Sequence, residues 1–247
     1  MDVKILVAII GGFASILVAM CTQYVITWRE RNTSRREENK KIQLEYLNPL
    51  RLFLVESHFR LAEIKRRVSD SDNNKCDILL FEENASEIQN KKESWFNGEG
   101  CYLISSCYLV ACLFSCLNRA RESVPFLELS KSDDTKLLAL SAKVSLGFLR
   151  NLGIFYVSQF SIGHDLYSRD ENRLLTYREF CTLLLSENSV WFSRLLEYFV
   201  QTGQGQNLER VNEALEAMAE LSSFLDAAVG GGESLEQRYR SEGVEAI

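Results

Sequence analysis

The side chains of this 247-residue chain whose type and spacing could do chemistry are few. Arg51 and His58 are separated by six residues, an offset that puts both on one face of a helix, a cation beside a proton-transfer group. His164-Asp165, with Asp170 and Glu171 close behind, sets acid–base groups in a stretch that reads as a loop. Metal-dependent phosphohydrolases also use adjacent His and Asp, but they need further histidines, and this chain has one other. Cys107, Cys112 and Cys116 lie close together, and the last two share a helical face. Zinc wants four ligands, usually with C-x-x-C pairs or a histidine nearby, and neither His58 nor His164 is in that segment. The three thiols therefore read as small core residues that let helices approach. No G-x-x-x-x-G-K, G-x-S-x-G or H-E-x-x-H occurs, and GQG at 203–205 follows no strand and reads as a turn. The catalytic candidates are thus Arg51, His58, His164 and Asp165, with no cofactor and no metal expected.

The elements that must position these residues follow from composition. The chain is 46% hydrophobic and 25% charged, with only 2 Pro and 13 Gly, which excludes collagen-like and low-complexity classes and points to long helices. A net charge of −6 argues against a nucleic-acid partner, which needs a basic face. Seven Cys follow no disulfide framework, so a reducing compartment is expected.

From Ile5 to Trp28 no residue carries a formal charge. At about 1.5 Å per residue that stretch reaches roughly 36 Å, more than the roughly 30 Å hydrocarbon core of a bilayer. Tyr24 and Trp28 stand where amphipathic rings prefer to lie. A cleaved signal peptide would need a basic start and a small-residue cleavage site: Lys4 is offset by Asp2, no A-x-A follows, and Met20 suits no lipoprotein anchor at Cys21. An uncleaved anchor over 1–28 is expected. Arg29, Arg31, Arg35, Arg36, Lys40 and Lys41 follow it, against Lys4 alone before it, so the amino terminus is expected outside and the body in the cytoplasm of a single-pass protein. Those basic residues also attract membrane lipid, although Glu30, Glu37 and Glu38 dilute them. Gly11, Ser15 and Ala19, with Ala8 and Gly12 beside them, make one face of the span small, the pattern that lets helices pack closely in lipid.

Beyond the anchor, 29–47 reads as a basic juxtamembrane stalk helix that Asn48-Pro49 breaks, Asn48 acting as N-cap. Helices are expected over 50–68, about 77–92, from Cys101 to Val124, and from Asp133 or Asp134 to Leu152. Further helices are expected after the Thr176–Glu179 capping box, from Asn188 or Ser189 with Trp191 and Phe192 on the apolar face, and over 208–229. The residues 161–173 read as a loop and 230–247 as a flexible tail. The fold class is all-α: one transmembrane helix and a cytoplasmic bundle of about seven helices over 48–229. Cys101 to Leu117 is uncharged and just long enough for a second crossing, but its Ser, Cys and Tyr suit the middle of a bundle better.

Two resemblances bear on function. The spacing of Arg51 and His58 resembles the R-x4–6-H signature of all-helical HEPN-type ribonucleases, which implies RNA cleavage by those two residues. Those enzymes place the motif later in the bundle, with a polar residue after the Arg where Leu52 stands here. The segments LNPLRLFLVESHFRLAEI (47–64), GCYLISSCYLVACLF (100–114), SIGHD (161–165) and YREF (177–180) resemble, in order, blocks of a bacterial family of membrane-anchored or soluble helical proteins of unknown function, over about 43–200. That resemblance implies the helical fold and supplies no activity. The expected function is a non-catalytic interaction subunit, adaptor or scaffold whose partners are membrane lipid and other subunits or itself. The alternatives are a tethered enzyme and a bundle that senses a ligand between its helices.

Overall fold

A computed structural model of the chain describes residues 18, 20–31, 33–34, 37, 41, 43–79, 88, 91–123, 133–149 and 153–229. The chain divides into two compact units, Met1–Leu44 and Glu45–Ile247. In the first, residues 20–31 are helical, and Met20, Tyr24, Ile26 and Trp28 are all exposed, Tyr24 by 73%. Arg29, Arg31 and Lys41 are exposed as well. The apolar run 5–17 lies outside the described residues, and so do the small residues Ala8, Gly11, Gly12, Ser15 and Ala19 and the basic residues Arg35, Arg36 and Lys40.

Among its described residues the regular structure of the second unit is helical apart from one minimal hairpin. A π-helical turn, Gln43–Leu47, leads into α1 (Asn48–Asp70). The break expected at Asn48-Pro49 is not there. Leu47 is itself helical (φ −79°, ψ −38°) and no side chain caps α1, while Pro49 occupies the first turn, where its missing N–H leaves nothing unpaired. Leu50, Leu54, Leu61, Ile64 and Val68 recur at helical spacing and are wholly buried. A 3-10 turn, Asp77–Leu79, and a one-turn helix, α2 (Glu93–Asn97), follow. Of the helix expected over 77–92, the residues between that turn and position 91 lie outside the described residues except Ile88, which is helical and buried.

The central element is α3 (Cys101–Ser123). Among the described residues it is the one helix long and apolar enough, by length and composition, to cross a membrane, and 72% of its most apolar stretch is buried inside the protein. It packs against α1, α5 (Tyr156–Asp165) and α7 (Ser193–Gly203), while α8 (Leu208–Val229) lies on α1 and on α4 (Asp133–Leu149). Buried rings link these layers: Phe114 meets Phe148 edge-on at 5.1 Å, and Phe148 meets Tyr198 at 5.6 Å. Half-buried polar groups tie the helices in register. Arg60 of α1 donates to the Tyr102 carbonyl and to the hydroxyls of Ser105 and Ser106 on α3. Arg121 of α3 donates to the Ser141 carbonyl at 2.7 Å and the Ser145 hydroxyl at 2.8 Å on α4.

Two further expectations are corrected. The stretch 161–173 is not a loop throughout, because α5 runs to Asp165 and Tyr167–Ser168 (β1) pairs antiparallel with Arg173–Leu174 (β2), Tyr167 opposite Leu174. The turn between them closes with Asn172 at φ 51°, a left-handed conformation that Asn tolerates, and two residues per strand are too few for an alternating pattern. The element expected to start at Asn188 or Ser189 opens instead as a 3-10 turn over Glu187–Phe192, with α7 beginning at Ser193. Phe192, Leu195, Leu196 and Phe199 are buried as expected, but Trp191 points outward and is 58% exposed. The capping box holds: Thr176 Oγ1 accepts from the Glu179 N–H and Glu179 Oε2 accepts from the Thr176 N–H at 2.6 Å, starting α6 (Tyr177–Leu184).

Candidate functional site

The sequence candidates do not converge. Arg51 is drawn to α8, where its Nη2 lies 2.5 Å from Asp226 Oδ1, and both side chains are mostly buried. That contact is an ion pair without an aligned hydrogen bond, since neither Arg51 Nη2 nor either Asp226 oxygen has a hydrogen-bond partner. Burial pushes the His58 imidazole down to about 4, so at neutral pH it is uncharged and a poor proton reservoir. His164 and Asp165 close α5, far along the chain from both. Arg169 Nη2 sits 2.6 Å from His164 Nε2; a guanidinium only donates, so Nε2 accepts and the ring proton stands on Nδ1, 3.9 Å from Asp165 Oδ1. Partial burial raises the Asp165 carboxyl, and His164 opposes that shift.

The cysteine trio is inert by the same physics. Cys107, Cys112 and Cys116 are buried and free, and loss of solvent raises all three thiols, Cys116 to about 12. Among the described residues no three His, Cys, Asp or Glu side chains come together as a possible metal site.

A different set of residues does converge. A cleft of about 260 Å³ opens between the carboxyl-terminal half of α3, the end of α5, the hairpin and the residues just before α1. Its α3 wall is a polar stripe, Ser115, Asn118, Arg119 and Glu122, in the carboxyl-terminal half of a helix whose middle is apolar. The opposite wall approaches closely because of Gly163, where an added Cβ would stand 2.6 Å from Asn118 Nδ2 and 2.7 Å and 2.8 Å from the Phe114 carbonyl carbon and oxygen. Asn118 Nδ2 crosses the same contact and donates to the Phe160 carbonyl at 2.9 Å.

Arg119 is held in place by its surroundings. Its guanidinium stacks 4.2 Å from the Tyr167 ring centroid and 5.0 Å from that of Tyr46, and its Nη2 lies 3.5 Å from Glu45. On the floor, the Ser115 hydroxyl is buried and has no hydrogen-bond partner among the described residues. Of the sequence candidates only His164 lines this cleft. The signal that could have found it was the 3-4-7 spacing of Ser115, Asn118, Arg119 and Glu122, four polar residues entering one face of an apolar run.

A second surface feature is apolar. Phe155, Val157 and Phe160 at the start of α5 are exposed, Val157 by 75%, and α5 touches the 3-10 turn that presents Val190 and Trp191.

The chain matches no protein-family model, no curated protein and no solved structure.

Proposed function

We propose that the chain is a single-pass membrane protein, amino terminus outside, whose cytoplasmic helical bundle is a non-catalytic interaction subunit that assembles with a second copy of itself. The observation that carries the reading is the set of exposed apolar side chains Val157, Phe160, Val190 and Trp191, carried on a helix and a 3-10 turn that touch each other. Contiguous exposed apolar patches on a soluble body mark protein contacts. The uncharged run from Ile5, the six basic residues after Trp28 and the open apolar side chains of residues 20–31 support the anchor. The extensive burial of α3 supports its place in the bundle core rather than a second crossing. A small-residue face in the span supports self-association, and two tethered bodies meet at high effective concentration. The blocks at 47–64, 100–114, 161–165 and 177–180 support kinship with the membrane-anchored helical proteins they resemble. Against a tethered ribonuclease stand the engagement of Arg51 by Asp226 and the neutral His58.

The test is crosslinking in native membranes. The parent chain is expected to give a dimer band that Val157→Glu with Trp191→Glu abolishes without releasing the protein from carbonate-washed membranes. A dimer that survives the double substitution removes the apolar surface from the reading. Extraction of the intact chain by carbonate, or cleavage of its body by protease outside sealed cells, removes the anchor or its orientation.

A further inference from the structure

The geometry points to the cleft between α3, α5 and the hairpin as a binding site for a small zwitterion of the amino-acid type, its carboxylate on Arg169 and its ammonium on Glu122. This inference needs neither the membrane anchor nor the self-association.

Three observations carry it. The Ser115 hydroxyl lies on the floor, 1% exposed as a residue, with no partner among the described residues. A buried hydroxyl without a hydrogen bond is destabilising, so its retention in the wall of a cavity fits a polar atom arriving from the cavity side. Second, the charges at the cleft are balanced but not mutually satisfied. Arg119 has Glu45, whereas Arg169 faces the His164 ring nitrogen and no carboxylate, and Glu122 has no cation, among the described residues. An exposed guanidinium and an exposed carboxylate that share a cleft and do not pair with each other are complementary to a ligand bearing both charges. A simple anion would leave Glu122 opposed to it, and a simple cation would leave Arg169 so.

The third observation is size and rigidity. About 260 Å³ lies below the usual range for drug-sized ligands, so the occupant is small. Arg119 is fixed between Tyr46 and Tyr167, and the α3–α5 contact is fixed at Gly163, so the walls are formed before a ligand arrives. Phe160 and the tyrosine rings supply the apolar surface that an amino-acid side chain would cover.

The test uses the full chain in detergent micelles, with melting temperature and equilibrium dialysis as readouts, against each common L-amino acid singly and against two half-ligands, propionate and ethylamine. At least one amino acid is expected to raise the melting temperature by about 5 °C at a hundredfold excess over its Kd, while neither half-ligand does so. Arg169→Gln and Glu122→Gln, both at exposed positions, are each expected to weaken binding at least tenfold while leaving the unliganded melting temperature unchanged. Ser115→Val is expected to weaken it as well. Failure of every amino acid to bind overturns the proposal. So does an equal shift with propionate, which makes the cleft a plain anion site, or with ethylamine, which makes it a cation site. Binding that survives both charge substitutions places the ligand elsewhere and overturns it too.

Discussion

Replacing Gly163 by alanine measures how tightly the two walls of the cleft are joined. The new Cβ would stand 2.6 Å from Asn118 Nδ2 and within 2.8 Å of both atoms of the Phe114 carbonyl. Two of those three atoms are backbone in the middle of the central helix, which cannot swing aside as a side-chain end could. Overpacking of this kind costs about 1–3 kcal/mol. Displacing Asn118 also strains its 2.9 Å bond to the Phe160 carbonyl, roughly another 1 kcal/mol. Alanine's better helix propensity returns about 0.5–1 kcal/mol. The net loss is about 2 kcal/mol, which lowers the melting temperature by about 4–8 °C and the urea midpoint by about 1 M. Helical circular dichroism of the full chain, followed through urea, reads both the midpoint and the slope. Because the closest obstruction that cannot move is the Phe114 carbonyl, adding Asn118→Ala is expected not to rescue Gly163→Ala. A Gly163→Ala variant that unfolds at the parent's midpoint or above it refutes the packing argument, and rescue by Asn118→Ala shifts the strain from the backbone to the amide.

The remaining predictions concern single groups. Burial lowers His58 to about 4 in the folded chain, against about 6.5 when unfolded, so its contribution is fully present above pH 6.5 and is lost as the pH falls toward 4. The loss is about 3 kcal/mol, read as the difference in urea midpoint between the parent and His58→Gln from pH 7.5 to 4.5; parallel pH profiles for the two would contradict it. Thr176→Ala removes half of the capping box on α6 and is expected to lower stability by about 1 kcal/mol in the same unfolding assay, with no change if the cap is idle. Cys107, Cys112 and Cys116 are expected to resist a maleimide in the native protein at pH 7.5 and to react once it is unfolded, with peptide mass spectrometry identifying the labelled sites. Rapid native labelling of Cys112 would show that the α3 core opens.

Much of the helical layout was legible because it rests on local rules. The Thr176–Glu179 box announced α6, Asp133 opened α4, and the spacing of Leu50, Leu54, Leu61 and Ile64 defined the buried stripe of α1. Asn48-Pro49 does not break the helix because a π-helical turn delivers Leu47 already helical. The helical spacing assigns Trp191 to the interior, yet a 3-10 turn rotates it outward.

The cleft as a whole was not legible, since its residues come from four segments: the polar 3-4-7 spacing on α3 marks one wall, and the other three segments look ordinary alone. Arg119 reads as the first charge after an apolar helix, Tyr46 as the end of a stalk, and Tyr167 as part of a polar loop. Composition and periodicity alone determined that the chain is helical, that its first apolar run is long enough for a bilayer, and that its cysteines have no disulfide pattern. Those properties depend on residues a few positions apart, where the helix repeat is the whole geometry. Only the tertiary structure decided that Arg51 meets Asp226, that His58 is driven neutral, and that Gly163 presses against Phe114. Each depends on which surfaces face each other across the core, and side chains far apart in sequence acquire that relation only when the helices pack.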